Sequence, residues 1–203
     1  MSLIKSLMND LKIAPLGTLE HLQQNRPIWT VMICSAMFLI LSAIFYFQLF
    51  LEMDPCELCV YIRFSQCCIV IAGLIILIDP KNHILKLLGF LLAWYGVAQG
   101  ILWSIDLMHI HNAAHMEVNA GVDFFAAAGD AAGAACSTEP KFPLNLPLNE
   151  WLPFEFEPTG GCGEDDWSLM GMNMAHYCII AYAIFATCLT PLTIGWIRNI
   201  LKK

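Results

Sequence analysis

"IWTVMICSAMFLILSAIFYFQLFL", residues 28–51, runs for 24 positions without a formal charge. A helix on the surface of a soluble protein keeps a polar face, and this stretch has none. At about 1.5 Å per residue, about 20 apolar residues cross a hydrocarbon layer of about 30 Å. Three more such runs follow. Val60–Ile78 is interrupted only by Arg63, Leu87–Ile105 carries no charge, and Ala175–Ile197 has His176 as its one ionisable group. Helices rather than strands are expected, because a backbone facing lipid must satisfy its hydrogen bonds within its own segment. The composition agrees: 58% hydrophobic and 13% charged residues in a chain of 203 leave too little polar surface for a soluble domain. The expected fold is an all-α membrane protein, a four-transmembrane-helix bundle with spans at about 28–51, 60–78, 85–105 and 175–197. The first run is too long, and starts too late, for a cleaved signal peptide, so a retained helix is expected.

The charges divide between two faces. Lys5, Lys12 and Arg26 precede the first span, Lys81 and Lys86 lie between the second and third, and Arg198, Lys202 and Lys203 follow the fourth. The loop at 52–59 holds Glu52, Asp54 and Glu57, and the loop at 106–174 sets eleven acids against Lys141. Positive charge stays in the cytoplasm, which places both termini there and both acidic loops outside. Such a loop would suit a partner with a basic face, although outer loops are commonly acidic for the same reason. Residues 1–27 form a cytoplasmic segment in which Leu3, Ile4, Leu7, Met8 and Leu11 make an apolar stripe suited to an interfacial helix; 28–203 is the membrane domain. The long loop has an Ala/Gly-rich part at 112–135. Its second part, 140–158, holds five of the ten prolines together with Trp151, Phe154 and Phe156. Proline forbids a long helix there and aromatics favour the headgroup level, so an irregular, mobile loop partly anchored to the membrane is expected.

Nine cysteines sort by this topology. Cys34, Cys67, Cys68, Cys178 and Cys188 fall inside spans, where a thiol behaves as a small buried hydrophobe. Cys56, Cys59, Cys136 and Cys162 fall on the outer face, where an even number of cysteines points to disulfides. Three connectivities are open. Adjacency favours Cys56–Cys59 and leaves Cys136 with Cys162. A Cys-x-x-C ring is too small to stabilise much, so thiol–disulfide exchange explains it better than stapling. Tetrahedral zinc is a further reading, weakened because the second pair is so widely spaced. Arg63 lies one helical turn beyond Cys59, where a guanidinium would favour a thiolate and bind an anionic or carbonyl oxygen. It could instead simply snorkel to the interface.

With these residues in view, "PCELCVYIR" (55–63) resembles the DsbB family of quinone-reducing disulfide oxidases. "FPLNLPLNEWLPFEFEPTGGC" (142–162) and "W…LMGMNM" (167–174) resemble that family's loop and its entry to the fourth span. The likeness covers about residues 28–200, and the "CELCVYIR" wording with the long N-terminal segment is similar to the DsbI type. The resemblance implies that Cys56, Cys59, Cys136 and Cys162 are the redox-active cysteines, and that Arg63 contacts a quinone, ubiquinone or menaquinone. It implies a DsbA-like periplasmic thiol oxidoreductase as partner, a dedicated DsbL-type protein being one form. It also implies a multi-pass protein of the bacterial inner membrane, in contact with lipid and quinone; no nucleic-acid partner is expected.

Two departures stand out. The Ala/Gly-rich stretch lengthens the approach to Cys136, and three histidines, His109, His111 and His115, compete for the place of one that the family keeps near its quinone. The rival readings are a vitamin K epoxide reductase-like enzyme, whose Cys-x-x-C usually accompanies a later span, a non-catalytic four-span protein with stapled loops, and a metal-binding membrane protein.

Overall fold

The computed structural model describes residues 25–120, 140–162 and 167–201, with backbone only over 113–120. The interfacial helix expected within 1–27 and the loop cysteine Cys136 lie outside these residues. In chain order the elements are α1 (Arg26–Leu41), continuing as a π-helix (Ser42–Phe50), then α2 (Glu57–Ile78) and α3 (His83–Ala120). A 3₁₀ turn (Pro143–Asn145) and two single-turn helices, α4 (Leu148–Trp151) and α5 (Pro153–Phe156), follow. A two-residue hairpin of β1 (Ser168–Leu169) and β2 (Met172–Asn173) leads into α6 (Met174–Leu201). Four helices are long and apolar enough to cross a membrane: Arg26–Phe50, Glu57–Ile78, His83–Asn112 and Met174–Leu201.

Two of the differences from the expected boundaries bear on the site. The second helix starts at Glu57 rather than residue 60, because Cys56 caps it: its Sγ accepts from the Cys59 N–H at 3.3 Å. Glu57 then sits in the first turn, where the helix dipole favours an acid. Cys59 therefore belongs to the helix and not to the loop. At the other boundary, α3 continues past residue 105 to Ala120. Asp106 ends the uncharged run, but "DLMHIHNAAHMEVNA" contains no proline or glycine, so nothing ends the helix. The start of the Ala/Gly-rich stretch is thus helical rather than irregular.

Between helices in lipid there is little hydrophobic drive, so close packing of small residues holds them together. "GVAQG" (96–100) does this on α3. A Cβ on Gly96 would lie 2.8 Å from the Ser65 carbonyl of α2, and one on Gly100 would overlap the edge of the Tyr182 ring of α6. Tyr182 is buried there, donates to the Ile62 carbonyl at 2.7 Å and pairs with the Ser65 hydroxyl. That contact pins α6 to α2, the most enclosed of the four spans. Val31, Phe38, Phe45, Leu91 and Ile184 point outward, as lipid-facing side chains should. Pro191 interrupts the ladder of α6, and the hydroxyls of Thr190 and Thr193 bond to the Ala186 and Leu189 carbonyls beside it.

Candidate functional site

The Cys-x-x-C opens α2 with both sulfurs buried, Cys56 at 1% and Cys59 at 7% exposure. Helical geometry turns Cys59 back over its own N-cap, so the two Sγ atoms stand 2.9 Å apart. Formation of a bond between them needs only a small rotation. Cys162 is disulfide-bonded and buried, and it belongs to the same hydrophobic cluster as Cys56 and Cys59.

A short clasp brings Cys162 to that cluster. The N–H groups of Thr159 and Gly160 both donate to the Pro55 carbonyl, at 3.0 and 3.1 Å, and the Thr159 hydroxyl reaches Asp54 Oδ1 at 3.1 Å. A Cβ on Gly160 would lie 2.6 Å from the Asp54 carbonyl oxygen. Where the sequence predicts a mobile loop, the structure requires a glycine, Gly160, for a close backbone approach. The preceding segment is docked as well. The Lys141 N–H donates to the Tyr61 hydroxyl at 2.7 Å, and that hydroxyl donates to Glu57 Oε1 at 2.6 Å. Phe142 is buried with Val60 and Phe156. Leu144, Trp151 and Phe154 stay exposed, as side chains resting on a bilayer would.

Arg63 is buried inside the bundle edge rather than snorkelling to water. Its Nη1 donates to Gln48 Oε1 at 3.0 Å and to the Glu155 carbonyl at 3.3 Å. Gln48 also reaches the Phe154 carbonyl, at 3.4 Å. Gln48 comes from the π-helical end of α1, an irregularity often found at functional sites. The arginine is therefore fixed jointly by a transmembrane helix and by the loop that carries Cys162.

Cys59 and Arg63 line one cavity of about 270 Å³, enclosed mainly by apolar side chains of α1, α2 and α6. Phe47, Trp167 and Tyr177 form an edge-to-face wall on one side, with ring centroids 4.9 and 5.8 Å apart. Trp167 arrives by the hairpin, whose two turn residues, Met170 and Gly171, both have positive φ as a tight type I′ turn demands. A flat, largely apolar molecule with polar edges fits such a space, with Arg63 to hold an oxygen and Cys59 beside it.

Sequence reasoning missed Gln48 and Gln66, the latter also on the cavity wall. An amide inside a membrane span is costly, and that cost is the signal that could have marked both. Leu107, not a histidine, represents α3 on the wall; His109 and His111 do not line it, and the His115 side chain lies outside the described residues. Cys178 lines the cavity, while Cys34 and Cys188 are exposed on the bundle surface and not buried as expected. Among the described residues, no three His, Cys, Asp or Glu side chains gather as a metal centre would need.

Buried paired thiols at the end of a four-helix bundle, beside a cationic apolar cavity, define a membrane thiol–disulfide oxidoreductase. The chain belongs to the DsbB family: a family model described as "Disulfide bond formation protein DsbB" matches residues 25–191. It is 68% identical over 196 residues to a provisionally named protein-disulfide oxidoreductase DsbI of Shewanella oneidensis, covering 97% of this chain and 92% of the relative. It is 38% identical over 226 residues to the protein-disulfide oxidoreductase DsbI of Salmonella typhimurium, covering 97% and 96%. The resemblance to the DsbB family, on the side of its DsbI type, is thereby confirmed. The protein is a membrane oxidoreductase of disulfide bond formation.

Proposed function

We propose that the chain reoxidises a periplasmic DsbA-like thiol oxidoreductase and passes the electrons to a membrane quinone, with both termini cytoplasmic and both cysteine pairs periplasmic. One observation carries this reading: Cys59 and Arg63 share an apolar cavity, while Cys162 packs with Cys56 in the cluster beside it. A thiolate of the reduced partner attacks Cys136 of a Cys136–Cys162 disulfide and releases Cys162. The second thiol of the partner then resolves the mixed disulfide, so the partner leaves oxidised and the loop pair holds two thiols. Cys162 attacks Cys56 of the Cys56–Cys59 disulfide, Cys136 resolves that bond, and the electron pair now resides on Cys56 and Cys59. A quinone held beside Cys59 and Arg63 would take the electron pair and two protons from the Cys56 and Cys59 thiols, which would restore the Cys56–Cys59 disulfide.

The cavity fits such an oxidant, since its walls are apolar and Arg63 offers donors to a carbonyl oxygen. The quinone's own contribution is to accept the pair at a potential that thiols cannot reach. A DsbA-type donor is poised near about −120 mV, above the range of a glutathione buffer, so the terminal acceptor must be a stronger oxidant. A dedicated DsbL-type protein is the partner we favour, because the DsbI-type sequence runs through the whole redox segment.

The test is direct. Purified full-length chain should oxidise a reduced DsbA-like protein with ubiquinone or menaquinone analogues as acceptors; lack of turnover with every quinone would sink the proposal. A second expectation follows from the clasp. Gly160→Ala should slow electron transfer from the loop pair to Cys56 on the order of 10²-fold, the scale on which a misplaced reacting group acts. Oxidation of prereduced Cys56 and Cys59 by quinone should keep its rate. Acid-quenched thiol trapping of both pairs measures the two steps separately, and equal slowing of both would refute the clasp's role.

A further inference from the structure

The cavity wall carries an amide for which the relay above has no use. Gln66 follows Arg63 by three residues on α2, so both side chains lie on one helix face. It is 6% exposed, lines the cavity, and its Oε1 has no hydrogen-bond partner. Buried amide oxygens are nearly always paired, and a glutamine in a membrane span is costly to keep, so a partner from outside the chain is called for. Other polar groups on the wall are engaged: the Ser42 hydroxyl donates to the Phe38 carbonyl and the Tyr177 hydroxyl to the Leu169 carbonyl.

We propose that Gln66 is a second headgroup-binding residue, holding the quinone oxygen that Arg63 does not reach. The inference rests on the quinone reading above and deepens it. One helical turn between the two side chains is comparable with the width of a para-quinone ring. The chemistry of the two residues also differs in a useful way. Arg63 has donors only, which suits a carbonyl oxygen but cannot answer the O–H of a hydroquinone. An amide has both functions, so the unpaired Oε1 accepts the O–H of a hydroquinone and, after the amide turns, its N–H donates to the quinone carbonyl. The residue thereby serves the headgroup before and after two-electron reduction.

Gln66→Leu, and Gln66→Met as a second variant close in shape, test this in the full-length protein. Binding of short-tailed ubiquinone and menaquinone analogues, oxidised and reduced, can be read from quenching of tryptophan fluorescence, since Trp167 stands on the cavity wall. Dissociation constants should rise about tenfold for both redox forms. The melting temperature should not fall, because the substitution removes an unpaired buried oxygen. Quinone-free exchange between the reduced DsbA-like protein and the chain's own disulfides should keep its wild-type rate. Dissociation constants within twofold of wild type would overturn the proposal, and so would a loss of binding matched by losses in melting temperature and thiol exchange. Wild-type protein that binds no quinone in either form would instead overturn the functional reading itself.

Discussion

Cys59→Ser is expected to stop quinone-dependent turnover, by on the order of 10³-fold or more, as removal of a reacting nucleophile does. One round of chemistry should survive. The loop disulfide that includes Cys162 does not need Cys59, so each variant molecule should still oxidise about one reduced partner molecule before stalling. Fold stability should change little, because serine approximates the size of cysteine and α2 keeps its N-cap at Cys56. The measurement is a burst experiment: partner disulfide formed per chain, followed in time with excess quinone. A burst without steady-state turnover places Cys59 downstream of the loop disulfide in the relay. Undiminished steady-state turnover would remove Cys59 from the relay. A wild-type protein with neither burst nor turnover would return the chain to the class of stapled, non-catalytic bundles.

The parts of this picture that were legible in the sequence are those that depend on one-dimensional pattern. Uncharged runs mark the spans, because the bilayer tests every residue of a helix for charge. Cys56, Cys59 and Arg63 were readable because their spacing is local and a single helix turn brings them together. The extension of α3 was hidden because hydropathy marks where the membrane ends, while helix propensity marks where the helix ends; at Asp106 the two diverge. Gln48 was hidden for a different reason. Its approach to Arg63 depends on a π-helical segment whose residues, Ser42–Phe50, read as an ordinary apolar run. The burial of Cys162 was hidden behind its glycines, since composition cannot distinguish a glycine needed for motion from one needed for contact. Only the backbone of Asp54, against Gly160, makes that distinction.

Arg63 should give the second large effect, and two substitutions divide its roles. A hydrogen bond to a charged group contributes about 1.5–3 kcal/mol, equivalent to about 10- to 150-fold in affinity. Arg63→Met should therefore raise the quinone KM on the order of 10²-fold. It should also lower the melting temperature, because Gln48 Oε1 and the Glu155 carbonyl lose their donor. Loss of stability alone cannot identify a quinone ligand, since Arg63 also tethers the loop. Arg63→Lys separates the two. The ammonium keeps the charge but is a point donor on a flexible stem, whereas the guanidinium fork can serve Gln48, Glu155 and a ligand at once. Lysine should recover part of the melting temperature while leaving the KM about tenfold high. If KM instead returned to the wild-type value whenever stability did, Arg63 would be a tether for the loop and no more. A persistent KM defect in a stable variant would require the guanidinium to reach into the cavity that Cys59 shares.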